Sequence, residues 1–176
     1  SDIGNNCAIG NAYPTFEKGR KYLAPGLFGP CGYGLPAVVG AKIACPDVPV
    51  VGFSGDGAFG IAVTELTAIG RKEWPAITQV VFRNYQWGAE KRNSTLWYDD
   101  NFVGTELDTE VSYAGIARAC GLQGIVARTM DELSAALRKA IDDQMKHGKT
   151  TLIEAMINQE LGEPFRRDAM KKPVAV

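Results

Sequence analysis

The sequence predicts a doubly wound α/β domain, with a mainly parallel sheet and helices on both faces. Three observations carry this. Short apolar, β-branched runs alternate with helical patterns along the chain. The glycines cluster before residue 60, where one such run passes into a helix. Of the 176 residues, 45% are hydrophobic and 22% charged, the balance of a globular chain with its own core. Several function classes drop out. The 19 Lys+Arg against 20 Asp+Glu leave a net charge of −1, with no basic excess to hold duplex nucleic acid. No apolar run is long enough to cross a membrane. Ser1-Asp2-Ile3-Gly4 has neither a basic nor a long apolar region, so no leader is expected there and the expected location is the cytoplasm.

The elements follow in order. Residues 37–44, after Gly34-Leu35-Pro36 and before Cys45-Pro46, read as a helix opened and closed by proline. Residues 48–53 form a short apolar run, a buried strand. Residues 61–69 carry Leu66 and Ile69 on one helical face and end at Gly70. Residues 77–82 are β-branched and apolar, a second strand. Residues 110–120 read as a helix with Val111, Ala114 and Ala119 inward and Gly121 as its C-cap. Thr129 and Glu132 form a capping box for a helix whose Leu133, Leu137, Ile141 and Met145 recur every four residues before Gly148. Residues 151–157 are a final strand. Strands separated by helices imply parallel pairing through right-handed crossovers. The domain is expected to run to residue 157, with residues 158–176 as an extended arm ending near Lys171-Lys172-Pro173.

The four cysteines, Cys7, Cys31, Cys45 and Cys120, contain no C-x-x-C pair, and the one histidine, His147, falls at a helix end. A structural zinc site is therefore not expected. The cysteines read as buried, reduced thiols of a cytosolic protein, with Cys31 the exception.

Phe53-Ser54-Gly55-Asp56-Gly57-Ala58-Phe59-Gly60 carries the most chemistry. It leaves a strand and enters a helix, the place where open α/β sheets bind phosphates. Residues 55–60 match G-x-G-x-x-G, the dinucleotide fingerprint, but Asp56 disagrees with that use. A carboxylate about 4 Å from a pyrophosphate charge, at an effective dielectric of about 20, repels it by roughly 4 kcal/mol. A divalent cation between them reverses the sign, and Mg²⁺ accepts carboxylate, phosphate and water oxygens together. The strand after it ends Phe82-Arg83-Asn84, where a nicotinamide site wants an acid, although Arg83 could accept a 2′-phosphate. Asn84, twenty-eight residues after Asp56, offers a neutral hard oxygen, and the turn through Tyr85-Gln86-Trp87-Gly88 could add a backbone carbonyl.

Gly55-Asp56-Gly57, twenty-six residues, and then Asn84 resemble the motif of thiamine-diphosphate-dependent enzymes, and with it their fold. The resemblance implies thiamine diphosphate and Mg²⁺ as cofactors. The metal ligands would be the Asp56 and Asn84 side chains and the Gln86 carbonyl. Backbone groups at Gly55, Gly57 and Ala58 would hold the diphosphate. Gly29-Pro30-Cys31-Gly32-Tyr33-Gly34-Leu35-Pro36 is similar to the family's pyrimidine loop. There the Gly29 carbonyl and the Cys31 N–H would face the pyrimidine, beside Gly32. Cys31 stands where the family usually has a larger apolar wedge, so the fit of that wedge is looser. Segments 1–7, 82–93, 99–107 and 158–172 extend the resemblance over nearly the whole chain. They point to the branch that converts sulfoacetaldehyde and phosphate to acetyl phosphate and sulfite.

Two anionic substrates need cations, and Arg83, Lys91 and Arg92 flank the metal loop as candidates. Trp87, Trp97 and Tyr98 are either pocket wall or interface. No catalytic residue is expected in this chain. The resemblance implies that the glutamate activating the cofactor belongs to a pyrimidine-binding domain, of the same or a neighbouring subunit, which is expected to be absent from this chain, as is the family's central domain. The chain is therefore expected to be inactive alone, a fragment or a subunit of a homo-oligomer. Its start inside a family-like segment favours a fragment. The alternatives are an acetolactate-synthase-like or sulfopyruvate-decarboxylase-like enzyme, or a non-catalytic diphosphate-binding module.

Overall fold

The computed structural model describes residues 1–17, 19, 21–71 and 73–160. Four parallel strands, β1 (Val51–Gly55), β2 (Thr78–Arg83), β3 (Gln123–Ala127) and β4 (Thr151–Met156), form one sheet in the order β1-β2-β4-β3. The helices are α1 (Asn5–Ala12), α2 (Gly34–Ala44), α3 (Asp56–Ile61), α4 (Leu66–Ile69), α5 (Gly88–Trp97), α6 (Tyr113–Ala119) and α7 (Met130–His147).

The strands are buried on both faces because their side chains alternate between two cores. On one face Val81 of β2 and Leu152 of β4 meet Leu35, Val38 and Val39 of α2, Phe59 of α3, Leu66 and Ile69 of α4, and Ala114 and Ala117 of α6. On the other, Val80, Ile153 and Ala155 meet Ala136 and Ala140 of α7. This is the doubly wound arrangement that the alternating pattern predicts.

Helix α7 opens as its capping box requires. The Thr129 hydroxyl accepts from the Glu132 N–H at 3.1 Å, and the Glu132 carboxylate accepts from the Arg128 N–H at 2.6 Å. Gly148 closes it with a left-handed φ of 59°. Its contact seam is not the predicted leucine row. Ala136, Ala140 and Gln144 are buried, Leu133, Leu137 and Ile141 flank them, and Met145 is exposed. Small residues at the centre let the helix lie close on the sheet.

Other boundaries move for local reasons. β1 starts after Pro49, which has no N–H for the ladder. The predicted helix over 37–44 begins at Gly34, with Pro36 in its first turn. The helix over 61–69 is a 3₁₀ turn (Val63–Glu65) followed by α4, and the Gly-Asp-Gly turn is itself the first turn of α3. The Ser112 hydroxyl caps α6 by accepting from the Gly115 N–H at 3.1 Å, so that helix starts later than predicted. Tyr113, Ala114 and Ala117 face the core, while Val111 and Ala119 are exposed. The edge strand β3 and the helices α1 and α5 have no counterpart in the sequence reading. Cys7 is the buried cysteine; Cys31, the expected exception, is exposed, but so is Cys45, and Cys120 is half-buried, all four as free thiols, which corrects the expectation of buried thiols at Cys45 and Cys120. β4 ends at Met156, one residue short of the predicted strand, and the chain from Asn158 to Glu160 is irregular. The rest of the predicted arm, residues 161–176, lies outside the described residues. Among the described residues no helix is long and apolar enough to cross a membrane.

One buried cation holds the entry to β1. The Lys42 ammonium, at the end of α2, donates to the Pro46 and Val48 carbonyls, each at 2.8 Å, and contacts the Met145 sulfur at 3.3 Å. Lys42→Met would leave both carbonyls without this donor. We expect it to cost about 2 kcal/mol in urea unfolding, with no change in the slope of the transition.

Candidate functional site

A cleft of about 900 Å³ opens at the carboxyl ends of β1 and β2, on the α7 face of the sheet. Its floor includes the stacked rings of Phe53 and Phe82, with centroids 6.3 Å apart. The start of α1, the loop around Cys31, the turn into α3 and the start of α5 wall it. This volume suits a cofactor-sized ligand.

Adjacent pairing of β1 and β2 decides the centre. Gly55 lies opposite Phe82, so the next residues, Asp56 after β1 and Arg83 and Asn84 at the end of β2, come together at the end of the sheet. Asp56 is 1% exposed. Its Oδ2 accepts from the Tyr85 N–H at 2.7 Å, the Asn84 N–H at 3.1 Å and Arg83 Nη1 at 3.3 Å. Its Oδ1 accepts from the Gly57 N–H alone at 3.0 Å. Burial pushes the Asp56 carboxyl above the usual range, against these donors and the Arg83 charge, which pull it down. A cation at this edge would favour the ionised form.

The Asn84–Gln86 turn is sharp. Tyr85 adopts a left-handed φ of 61°. Gln86 bridges Glu106 antiparallel through its neighbours: Leu107 N–H donates to the Tyr85 carbonyl and Trp87 N–H to the Thr105 carbonyl, each at 2.8 Å. The Gln86 carbonyl is thereby turned away from this ladder. The Gln86 side chain is 3% exposed; its Nε2 donates to the Gln159 carbonyl at 3.0 Å, and its Oε1 has no partner. Gln159 returns the tie, its Nε2 donating to the Asn84 carbonyl at 3.0 Å.

Of the residues expected to bind the cofactor or metal, Gly29, Cys31, Gly55, Asp56, Gly57, Ala58, Asn84 and Gln86 all line the cleft. Gly32 does not; its N–H faces the Asp2 carboxylate at 3.2 Å. The Gly57 N–H is engaged by Asp56, which leaves Ala58 to offer a first-turn donor. The donor set fits a small divalent cation. It has one lone-pair edge on Asp56 Oδ1, the Asn84 amide and a carbonyl clear of the ladder, all hard oxygens. Among the described residues no group of three His, Cys, Asp or Glu gathers as a metal cage.

The expected substrate cations separate. Arg83 is 1% exposed and does not reach the cleft. Its guanidinium lies against Asp56 and, at 3.6 Å, Glu154, donates to the Asp108 and Val111 carbonyls at 2.6 and 2.9 Å, and stacks on the Tyr85 and Tyr113 rings. It is a buried counter-ion, not a substrate cation, because the start of α6 and the 108–111 loop close over it. Lys91 pairs with Glu106 over the Phe102 ring and is also off the cleft wall. Arg92 lines the cleft. Trp87 is cleft wall, whereas Tyr98 is exposed. Partial desolvation, with Asp2 and Glu90 nearby, pushes the Cys31 thiol up.

The sequence reading missed Asn5, Asn6, Glu90 and Glu160, all on the cleft wall. All four stand in segments already marked by resemblance, 1–7, 82–93 and 158–172, which was the available signal.

The model of the thiamine pyrophosphate enzyme C-terminal TPP-binding domain matches residues 2–155. The chain belongs to the thiamine pyrophosphate enzyme family, as its C-terminal cofactor-binding domain. Within it the chain is 88% identical, over all 176 residues, to a sulfoacetaldehyde acetyltransferase of Roseovarius nubinhibens, and spans 29% of that protein's length. It is 49% identical over 99% of its length to the sulfoacetaldehyde acetyltransferase of Castellaniella defragrans, again 29% of the relative. With the acetolactate synthase isozyme 3 large subunit of Escherichia coli it shares 27% identity over 90% of the chain and 27% of that protein. Benzoylformate decarboxylase from Polynucleobacter necessarius has the same fold, with a TM-score of 0.70 and 26% identity over 82% of this chain and 27% of that one.

Gly57 is glycine for a packing reason. A Cβ there would lie 2.7–2.9 Å from the Trp87 indole. Gly57→Ala is expected to destabilise the fold by about 2 kcal/mol in chemical denaturation, and Trp87→Leu in the same chain to recover part of that loss.

Proposed function

We propose that this chain is the cofactor-binding part of an enzyme that converts sulfoacetaldehyde and inorganic phosphate to acetyl phosphate and sulfite. The observation that carries this is the 88% identity across the whole chain, with both halves of the metal motif facing one cleft.

When bound, thiamine diphosphate supplies a carbon nucleophile able to carry a two-carbon unit between the aldehyde and phosphate. The Asp56 and Asn84 side chains and the Gln86 carbonyl would hold Mg²⁺. Arg83 and the Asn84 and Tyr85 N–H groups fix Asp56 Oδ2, leaving Oδ1 as the edge that meets the metal. Gly55, Gly57 and Ala58 border the diphosphate, where Ala58 offers an N–H and the bare Gly57 leaves room for Trp87. The Gly29 carbonyl and the Cys31 N–H would face the pyrimidine, and the Cys31 thiol would fill the wedge position. Phe53, Phe82 and Trp87 exclude water from the cleft. Arg92 meets the sulfonate or the phosphate through its forked donors. The group that would exchange a proton with the pyrimidine is assigned to a glutamate on another domain, of the same or a neighbouring subunit.

The exposed Leu27 and Phe28, beside the cleft loop, support a seat for that domain. A cytoplasmic homo-oligomer is the assembly we assign. The acetolactate synthase relationship supports the family chemistry but is far more distant.

The direct test is sulfite release by the full-length protein given sulfoacetaldehyde, phosphate, thiamine diphosphate and Mg²⁺, with pyruvate as a parallel substrate. Phosphate-dependent sulfite is the expected result, and none from residues 1–176 alone. Pyruvate consumption without sulfite would keep the cofactor site and discard the substrate. Arg92→Ala is expected to raise KM for one of the two anions about tenfold with kcat less affected, the loss of a charge-assisted contact. An unchanged KM for both would remove Arg92 from substrate binding.

A further inference from the structure

Asp2 is fully buried, and its carboxylate lies beneath the cleft rim rather than in the cleft. Three backbone N–H groups converge on it. Its Oδ1 accepts from Ile3 at 2.8 Å and Gly32 at 3.2 Å, and its Oδ2 from Gly34 at 2.9 Å. Its own N–H donates to the Phe53 carbonyl near the end of β1 at 2.8 Å, and its carbonyl accepts from the Asn6 side chain at 3.0 Å. One residue thus ties together the start of α1, the loop bearing Cys31 and the strand that delivers Asp56. All three contribute to the cleft wall.

The chemistry of the tie requires a carboxylate. N–H donors approach both oxygens, so an amide would present one of its NH₂ hydrogens to a donor. The loop is also shaped to Asp2. A Cβ on Gly34 would lie 2.8 Å from the Asp2 Cβ and 3.0 Å from its Oδ2, so only glycine fits there. Gly32 takes a φ of 84° to aim its N–H at the same carboxylate.

We propose that Asp2 is the positioning residue of this cleft: it sets the Cys31 loop at a fixed separation from the Gly55–Asp56 turn, so that a cofactor can span both. Asp2 touches neither cofactor nor metal, and acts through Cys31 and Phe53. The inference rests on the cofactor reading above, and two readouts separate them. In the full-length protein with saturating Mg²⁺, Asp2→Asn is expected to raise the Kd for thiamine diphosphate about tenfold or more, by calorimetry. Iodoacetamide labelling of Cys31, read by mass spectrometry as a rate per thiolate across a pH series, should become severalfold faster; the pH series removes the effect of the lost Asp2 charge on the thiol. Labelling of the exposed Cys45 should not change, which distinguishes a local release of the loop from general loosening. In the wild type, the Gly32 and Gly34 amides should exchange with deuterium far more slowly than those of the turn at residues 26–28.

A folded Asp2→Asn protein with wild-type Kd and wild-type Cys31 labelling would overturn the proposal. So would Gly32 and Gly34 amides that exchange as fast as that turn, the deciding measurement if the variant does not fold. A wild type that binds no thiamine diphosphate would overturn the cofactor reading itself. The labelling and exchange rates would then still decide whether Asp2 holds the loop.

Discussion

The buried carboxylate of Asp56 is the constraint on which the rest of the site depends. A carboxyl group this far from water must be surrounded by hydrogen-bond donors. Here the sheet supplies them. Because β1 and β2 are neighbours in register, the strand after Asp56 delivers two N–H groups and a guanidinium to one of its oxygens. Arg83 in turn needs a second carboxylate, Glu154 on β4, which also accepts from the Ser112 hydroxyl at 3.0 Å and the Ala114 N–H at 3.1 Å at the start of α6. The chain of interactions runs from the cleft through the sheet to a helix on its far side. Two carboxyl groups share one guanidinium in this buried group. That imbalance fits a cation on the open side of Asp56.

Glycine has two uses around the cleft. A Gly-rich turn is usually explained by the ligand that approaches it. In this chain the protein's own groups account for three of the positions. Gly57 makes room for the Trp87 indole, Gly34 for Asp2, and Gly60 for the Tyr113 hydroxyl, which would lie 2.7 Å from a Cβ. That hydroxyl donates to the Asp56 carbonyl at 3.0 Å. The glycines therefore shape the protein scaffold as much as the space for a phosphate.

How far the sequence was legible follows from the range of each interaction. The Thr129–Glu132 box and the Gly148 stop are local, and they stand as read. The meeting of Asp56 with Asn84 was legible because it follows from two strands being neighbours. The fate of Arg83 was not. Its neutralisation requires carbonyls at 108 and 111 and a carboxylate at 154, and nothing in Phe82-Arg83-Asn84 distinguishes a buried guanidinium from one open to substrate. Strand β3 was missed because Gln123–Ala127 is five residues long, partly exposed and interrupted by Gly124. On α7 the bulk of the leucines outweighed the alanines that make the contact. Asp2 carried no pattern that spacing could reveal, since two of its donors come from loops and the third from the first residue of α2.

Tyr85 gives the site a property of its own. A non-glycine residue at a φ of 61° costs roughly 1 kcal/mol or more, and it is held there by its N–H on Asp56 and its ring on Arg83. The same turn aims the Asn84 side chain and the Gln86 carbonyl. The three oxygen donors are therefore not independent contributors whose effects can be summed. Loss of the Asp56 carboxylate frees the strained turn, and the other two donors lose their aim with it. On the metal reading proposed above, their effects on binding a cation are expected to be coupled rather than additive.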